Sequence, residues 1–507
     1  MAERFDLLVV GGGINGAGIA RDAAGRGLSV CLCEQDDLAA HTSSASTKLI
    51  HGGLRYLEQF EFALVGKALA EREVLLRLAP HVTWPLRFVL PYQSHLRPVW
   101  MIRLGLFLYD HLGRRRSLPG SRRVNLRRHP AGPPLRDGFR IGFTYSDAWV
   151  QDARLVVLNA MDARERGAII LPRTRCIDAR RGDDGWEVRL QSRHGDISTV
   201  RAGALVNATG PWAVRFLDEV AHVGHDHALR LVKGSHIVVP RLFGHDHAYI
   251  FQQPDRRIVF AIPYEHDFTL VGTTDVDYRA DPAAPRIDEA ETRYLCEAAN
   301  RYFRRSIAPA DVAWSYSGVR PLLEDEQSSA AKVSRDYLLE LDTHGAPLLN
   351  VFGGKLTTYR RLAEEALDRL ASQLSKASPA WTAHGAPLPG GERSDLDAYQ
   401  RELQAGYPWL PAPMAWRLAR SYGTRCTRLL GQARSLHDLG ERFGADLYRA
   451  EVDYLREHEW AVDAADVLWR RSKLGLRLDD GEAARLAAYL ADASTAANQP
   501  IARTPRS

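Results

Sequence analysis

The chain has 507 residues, 45% hydrophobic and 25% charged, with a formal net charge of +5. That is the balance of an ordinary water-soluble protein with room for two or three domains; it contains no apolar run of roughly 18 residues for a spanning helix and no basic face interleaved with aromatics for a nucleic-acid partner. The five cysteines, Cys31, Cys33, Cys176, Cys296 and Cys426, are odd in number and form no C-x-x-C pair, which points to a reduced, cytoplasmic protein without a disulfide framework.

The first predicted element is an apolar strand, Leu7 to Val10, running straight into Gly11-Gly12-Gly13-Ile14-Asn15-Gly16-Ala17-Gly18. Gly11, Gly13 and Gly16 have the G-x-G-x-x-G spacing. The first suits a tight turn, the second a close approach of pyrophosphate, and the third close packing of helix on strand. The helix that begins there aims its free N–H groups and positive dipole end at phosphate. A second strand, Leu28 to Cys33, ends in Glu34, 34 − 16 = 18 residues past Gly16. An acid about 20 residues on accepts hydrogen bonds from a ribose. Phe5 to Val10 is too short for a signal peptide and leads directly into the dinucleotide loop.

Next comes a loop rich in hydroxyls, glycines and cations, His41 to Tyr56, read as a binding loop that includes Ser43, Ser44, Ser46, Thr47, Lys48, Gly52, Gly53 and Arg55. Helical periodicity runs from Phe62 to Ala79 and stops at Pro80. Residues 92–137 are loop-rich and basic. Val200 to Val206 reads as a strand leading into Asn207-Ala208-Thr209-Gly210-Pro211-Trp212, and further strands are expected at Gly234–Pro240, Arg257–Pro263 and Phe268–Asp275. Val351 to Tyr359 repeats the strand, glycine turn and helix pattern, with its helix continuing to about Leu374. Residues 376–395, rich in Pro, Gly, Ser and Ala, read as a linker, and 396–507 as a helical domain.

Two glycine turns after strands can both aim backbone donors at one ligand. The turn at Gly11 would hold a pyrophosphate. The turn at Gly353 and Gly354, with Lys355, Leu356 and Thr357 opening a helix, would face the carbonyl end of a flavin ring, where reduction gathers negative charge. Arg55, Arg320, Arg335 and Lys355 are the candidate cations for a substrate phosphate or carboxylate.

The glycine loop, Ser43 to Leu57, Asn207 to Trp212, Lys233-Gly234-Ser235-His236-Ile237, Gly272-Thr273-Thr274-Asp275, Tyr316 to Leu322 and Gly353 to Tyr359 together resemble the FAD-dependent aerobic sn-glycerol-3-phosphate dehydrogenases. The resemblance runs from Phe5 to about Leu490. It implies an α/β fold: a Rossmann-like FAD-binding domain over residues 1–375, interleaved with a β-rich substrate domain (about 80–145 and 230–320), plus the C-terminal all-helical domain. It also implies oxidation of sn-glycerol 3-phosphate at C2 to dihydroxyacetone phosphate by hydride transfer to FAD, with electrons leaving to a membrane quinone. By matching motif, Arg55, Tyr56, Arg320, Arg335 and Lys355 are substrate or flavin contacts. His236 is the base or hydrogen-bond partner at the C2 hydroxyl, a task suited to a neutral imidazole near its free pKa of ~6.5. Whether Arg320 orients the hydroxyl or shares in proton removal stays open. A homodimer is admitted.

Gly-His-Asp-His-Ala occurs twice, at 224–228 and 244–248, without visible partner ligands, and Glu457-His458-Glu459 lacks the second histidine of a zinc-protease helix; no metal is expected. Leu96 to Leu112 is apolar, aromatic and basic, and Arg114, Arg115 and Arg116 follow. It fits either a helix lying in anionic headgroups or a core helix of the substrate domain. Three alternatives remain: a soluble oxidase of the same substrate that uses oxygen, an amine-oxidising flavoenzyme of the same superfamily, and a non-enzymatic flavin-binding scaffold.

Overall fold

The computed structural model describes residues 3–94, 96–113, 118–323, 336–374, 378–382 and 385–497. The chain divides into two compact units, Met1–Ser394 and Asp395–Ser507. In chain order the first unit comprises β1 (Glu3–Val10), α1 (Ile14–Gly25), β2 (Val30–Cys33), β3 (Leu49–Ile50), α2 (Phe62–Leu78), β4 (Thr83–Pro91), α3 (Val99–Leu112), β5 (Arg122–Asn125), β6 (Ile141–Val150) and α4 (Asp152–Glu165). There follow β7 (Ile169–Leu171), β8 (Thr174–Gly182), β9 (Gly185–Ser192), β10 (Ile197–Asn207), the short α5 (Ala213–Phe216), β11 (Leu229–Pro240), β12 (Ala248–Gln252), β13 (Ile258–Tyr264) and β14 (Phe268–Gly272). The unit continues with β15 (Val276–Asp277), α6 (Glu289–Asn300), β16 (Trp314–Leu323), β17 (Leu338–Asp342), β18 (Leu348–Phe352) and α7 (Tyr359–Leu370).

Its first sheet has a parallel centre in the order β18–β10–β1–β2–β7, with β17 antiparallel on β18 and the β8–β9 hairpin attached to β10. The central strands are covered on both faces, and Leu7, Leu8, Val9, Leu205 and Val206 are fully buried. This is why they read as unbroken apolar runs rather than alternating ones. Helix α1 packs against α4 and α7. Arg21 of α1 is locked to Asp162 of α4 at 2.6 Å, with almost no water access on either side. In such a sheet, ligands bind beyond the carboxyl ends of the parallel strands. The glycine turns after β1 and β18, and Thr209-Gly210 after β10, all emerge there.

The second sheet runs β15–β11–β14–β13–β12–β4–β6–β3, with β16 paired to β11 and β5 to β6. Its core gathers Val89, Tyr249, Phe251, Val259, Ile237 and Phe303 among other buried side chains. Two expected elements end early. The strand expected to reach Asp275 ends at Gly272, and the helix expected to reach Leu374 ends at Leu370, with a 3-10 turn over Ala371–Gln373.

The stretch read as a linker is held within the first unit at several points. Asp22 of α1 accepts hydrogen bonds from the Trp381 and Thr382 amides, and the Leu388 amide donates to the carbonyl of Leu78.

The second unit comprises α8 (Leu396–Gly406), α9 (Ala412–Tyr422), α10 (Cys426–Leu430), the β19 (Arg442–Gly444) and β20 (Leu447–Tyr448) ribbon, α11 (Arg449–Glu459) and α12 (Asp480–Ala497). Its core includes Leu418, Phe443, Leu455 and Leu486. The fully buried Glu451 is neutralised there by Arg417 at 2.6 Å and by the Tyr422 hydroxyl at 2.6 Å.

The tightest backbone approach in the nucleotide-side crossover is at Gly16. A Cβ there would sit 1.9 Å from the carbonyl oxygen of Gly11, so α1 can lie on β1 only without a side chain. Gly16→Ala is therefore expected to cost about 2 kcal/mol or more by forced overpacking and to lower bound flavin. Thermal unfolding together with the flavin-to-protein absorbance ratio checks both effects.

Candidate active site

Two neighbouring groups of residues make up the site. At the first, a cavity of about 350 Å³ is lined by Gly11, Gly13, Asn15, Glu34, Ser43, Thr209, Gly210, Gly353 and Gly354, all foreseen from the sequence. Gly12 sits behind its wall, where its amide donates to Glu34 Oε2 at 2.6 Å. Glu34 also accepts from the Asp36 amide at 2.9 Å; burial pushes its carboxyl above the usual range while these amides pull it back. The Ile14 amide at the start of α1 donates to Ser43 Oγ at 3.0 Å.

The two glycine turns are joined by one side chain across 338 residues of chain: Asn15 Nδ2 donates to the carbonyl of Gly353 at 3.0 Å. Its Oδ1 is buried in the described structure without a partner. An unpaired buried acceptor at a cavity wall is costly unless a ligand donates to it. That orphan atom, the helix N-terminus and the buried acid beyond β2 are the features by which these residues fit FAD. They would hold its dinucleotide end, and Gly353, Gly354 and Lys355 its ring end.

The second group forms where loop 41–56 crosses the second sheet. His236 on β11 is paired in register with Tyr316 on β16, and Val232 with Arg320, so His236, Tyr316 and Arg320 share one face. The imidazole stacks on the Tyr316 ring at 4.8 Å and 14°, and its Nε2 meets Thr47 Oγ1 at 3.0 Å. Its Nδ1 has no partner among the described residues. Arg320 is half-exposed and paired with Asp275 at 3.0 Å.

The loop itself is pinned from below. Lys48 Nζ reaches Asp152 Oδ1 at 2.8 Å and Oδ2 at 2.9 Å, and the carbonyl of Ser44 at 2.9 Å. Ser46 Oγ donates to Asp152 at 2.7 Å, and the Tyr316 hydroxyl donates to the Ser46 carbonyl at 2.8 Å.

Farther along the loop, the His51 amide donates to Thr357 Oγ1 at 3.2 Å, just past Leu356 at the start of the 3-10 turn before α7. Lys355 Nζ lies 4.2 Å from the centre of the Tyr56 ring. The Gly52 amide donates to the Tyr109 hydroxyl of α3 at 2.8 Å, and that hydroxyl donates to the buried carboxylate of Asp147 at 2.8 Å. Gly53 adopts a left-handed φ of 74°, and Arg55 beside it is exposed. Arg335 and the Arg114–Arg116 run lie outside the described residues.

Two residues central to this arrangement are not marked out by the sequence. Asp152 follows β6 at the first position of α4 and has no motif around it. His51 lies inside the binding loop with nothing local to single it out. Both imidazoles are held neutral. Burial, then the charges of Lys48 and Arg320, bring His236 down to about 3; burial, then Lys355 and Arg72, bring His51 down to about 4. The expectation of a His236 pKa near its free value is corrected by that burial. The paired histidine motifs are used locally: His225 meets Asp218, His227 meets Glu340 and His245 meets the Tyr249 hydroxyl.

A nucleotide cavity at the carboxyl edge of a parallel sheet, beside a second sheet carrying a buried imidazole and a guanidinium, defines a flavin-dependent oxidoreductase of two-sheet architecture. Residues 6–360 match the FAD dependent oxidoreductase family, and residues 381–494 match the C-terminal domain of alpha-glycerophosphate oxidase. The chain is 56% identical to a glycerol-3-phosphate dehydrogenase of Pseudomonas aeruginosa, over 97% of this chain and 96% of that one. It is 50% identical to a D-erythritol 1-phosphate dehydrogenase of Brucella abortus, over 98% and 99%. The crystal structure of a glycerol-3-phosphate dehydrogenase from Bacillus halodurans complexed with FAD superposes with a TM-score of 0.75 at 28% identity, covering 99% of this chain and 97% of that one. The chain belongs to the FAD-dependent glycerol-3-phosphate dehydrogenase family, and its cofactor is FAD.

The low His236 pKa has a consequence for folding. Between pH 6.5 and about 3 the unfolded chain binds a proton on this residue and the folded chain does not, so the residue weakens folding progressively as the pH falls through that window. His236→Gln, which cannot titrate, is expected to gain stability relative to the parent by about 1.4 kcal/mol for each pH unit of acidification inside the window. Denaturant unfolding of both proteins at a series of pH values measures it; a constant difference would contradict a buried neutral imidazole.

Proposed function

We propose that this protein oxidises sn-glycerol 3-phosphate at C2 to dihydroxyacetone phosphate and passes the electron pair to a membrane quinone. The observation that carries the reading is the placing of a buried neutral imidazole, His236, on the same face of one strand pair as the guanidinium of Arg320. Bound FAD supplies the hydride acceptor. The phosphate is met by cations: Arg320, whose present partner is an exposed carboxylate that a dianion can replace, and Arg55, with Lys355 beside Tyr56. Arg335 is proposed, from the family resemblance alone, as a further cation for the phosphate.

His236 orients the C2 hydroxyl as a hydrogen-bond acceptor. A base held well below its free pKa is a poor proton acceptor from an ordinary alcohol. As hydride leaves C2, however, the hydroxyl becomes that of a protonated carbonyl, far more acidic than the imidazolium. The proton then moves to the imidazole without need of a strong base, and the imidazolium so formed, kept acidic by burial, gives the proton up to solvent as the product leaves. Ser43, Thr209 and the two glycine turns belong to the cofactor, while Thr47 holds the imidazole.

The acceptor side rests on a different surface. Among the described residues no helix is long and apolar enough to cross a membrane. Helix α3 buries only Leu106 and Tyr109, while Trp100, Leu104 and Phe107 are exposed, as are Phe60 and Phe62 at the start of α2, which packs on α3. Such a cluster of large apolar side chains flanked by Arg97 and Arg103 suits the headgroup layer of an anionic membrane, where a quinone is within reach. The five cysteines are free and buried, which suits the cytoplasmic face of that membrane.

Anaerobic addition of sn-glycerol 3-phosphate is expected to bleach the oxidised flavin band. Glycine and sarcosine should leave it unchanged, and D-erythritol 1-phosphate gauges how strictly chain length is read. His236→Ala should retain FAD and slow that bleaching about 100-fold, and Arg320→Ala should raise the substrate concentration needed about tenfold. Normal rates in the first, or normal saturation in the second, would remove the residue from its role. Replacing Trp100, Leu104 and Phe107 together by serine is expected to abolish flotation with vesicles containing anionic phospholipid and to lower quinone reduction, with activity toward a soluble dye preserved.

A further inference from the structure

We propose that the buried Lys48–Asp152 pair is a positioning device for the reaction, acting on His236 through the Tyr316 ring and the Thr47 hydroxyl; this rests on the reading of His236 as the group at the C2 hydroxyl. The sequence placed Lys48 in the binding loop, among the residues expected to contact the cofactor. The geometry directs it elsewhere. An ammonium has three donors, and all three are used, on Asp152 Oδ1, Asp152 Oδ2 and the Ser44 carbonyl. Its side chain is 1% exposed and that of Asp152 0%. Nothing of this charge is left for an incoming ligand.

What the pair does hold is the wall behind His236. Asp152 also takes the Ser46 amide and hydroxyl, so residues 44–48 wrap around one carboxylate. Lys48 itself sits at a φ of 61°, a conformation that turns the chain back so that its ammonium returns to Ser44. At the centre of that turn, Thr47 points to His236 Nε2. The ammonium lies 4.9 Å from the centre of the Tyr316 ring, and the imidazole stacks on the same ring at 4.8 Å. The Tyr316 hydroxyl is tied back to Ser46. The imidazole is thus gripped through its Nε2 edge and one flat face, by parts whose own places depend on the ion pair. A side chain held this way keeps one orientation toward the substrate hydroxyl, which is what a proton transfer over hydrogen-bond distance requires.

A double-mutant cycle separates this role from a purely structural one. Lys48→Met, His236→Ala and the two combined are loaded with FAD, and flavin reduction is followed under anaerobic conditions across a range of sn-glycerol 3-phosphate. Lys48→Met is expected to slow the limiting rate of reduction about tenfold or more with little change in the half-saturating substrate concentration and full flavin content. In the His236→Ala background it should cost nothing further, because its effect is routed through the missing ring. The proposal is overturned if Lys48→Met reduces at the parental rate, if it changes only the half-saturating concentration, or if its slowing multiplies with that of His236→Ala. If the unpaired carboxylate prevents folding of Lys48→Met, Tyr316→Leu, which leaves the ion pair in place and removes the ring, takes its place in the same cycle with the same expectations. A normal rate in His236→Ala alone sinks the underlying role of His236, and with it the positioning role, and is told apart from the other failures because it is read without any change at Lys48.

Discussion

An ion pair shut away from water, Lys48 with Asp152, is the constraint on which the rest of the site depends. A buried charge is tolerated only when paired and fully hydrogen-bonded, and removing one partner of such a pair costs on the order of 3–5 kcal/mol. That penalty leaves loop 41–56 a single path. Asp152 stands at the junction of β6, which belongs to the second sheet, and α4, which covers the first. One carboxylate therefore gathers both layers and the loop that crosses them. A neutral substitute could fill the same space, but it would not hold the Ser44 carbonyl, the Ser46 amide and the Ser46 hydroxyl at once.

The cofactor side depends on a different kind of joint. Backbone approaches at Gly11 and Gly16 let β1, β10 and α1 come so close that no Cβ fits between them, and Asn15 then reaches the far turn at Gly353. The two halves of the nucleotide site are bridged by the protein's own hydrogen bond. Behind them, Arg21 with Asp162 and Arg26 with Asp368 tie α1 to α4 and α7 without any contact with the cavity.

Helix α3 brings the two remaining surfaces together. Its outward side is apolar and exposed, whereas its inward Tyr109 takes the Gly52 amide and gives its own proton to Asp147, which Arg72 neutralises at 2.8 Å. The exposed apolar face and the joint to the loop that carries Arg55 and Tyr56 are thus two sides of one short helix. Burial lifts the Asp147 carboxyl to about 6, a sign of how little water reaches this joint.

Much of the molecule was readable in advance because the signals are local. A run such as Leu7 to Val10 before G-x-G-x-x-G states strand, turn and helix within a dozen residues, and so does Val351 to Tyr359. Seven short motifs in one order carried the family, the cofactor and the reaction class. What local pattern could not state was partnership. Lys48 reads as a loop cation until Asp152, 104 residues away, and the Ser44 carbonyl are seen to take its hydrogen bonds. His236 reads as an imidazole near neutrality until the second sheet and Tyr316 close over it. Composition, spacing and motif order determined which chemistry the chain carries. Only the tertiary structure decided which charges are spent inside the fold and which remain for a ligand, because burial and pairing arise between segments that the sequence keeps far apart.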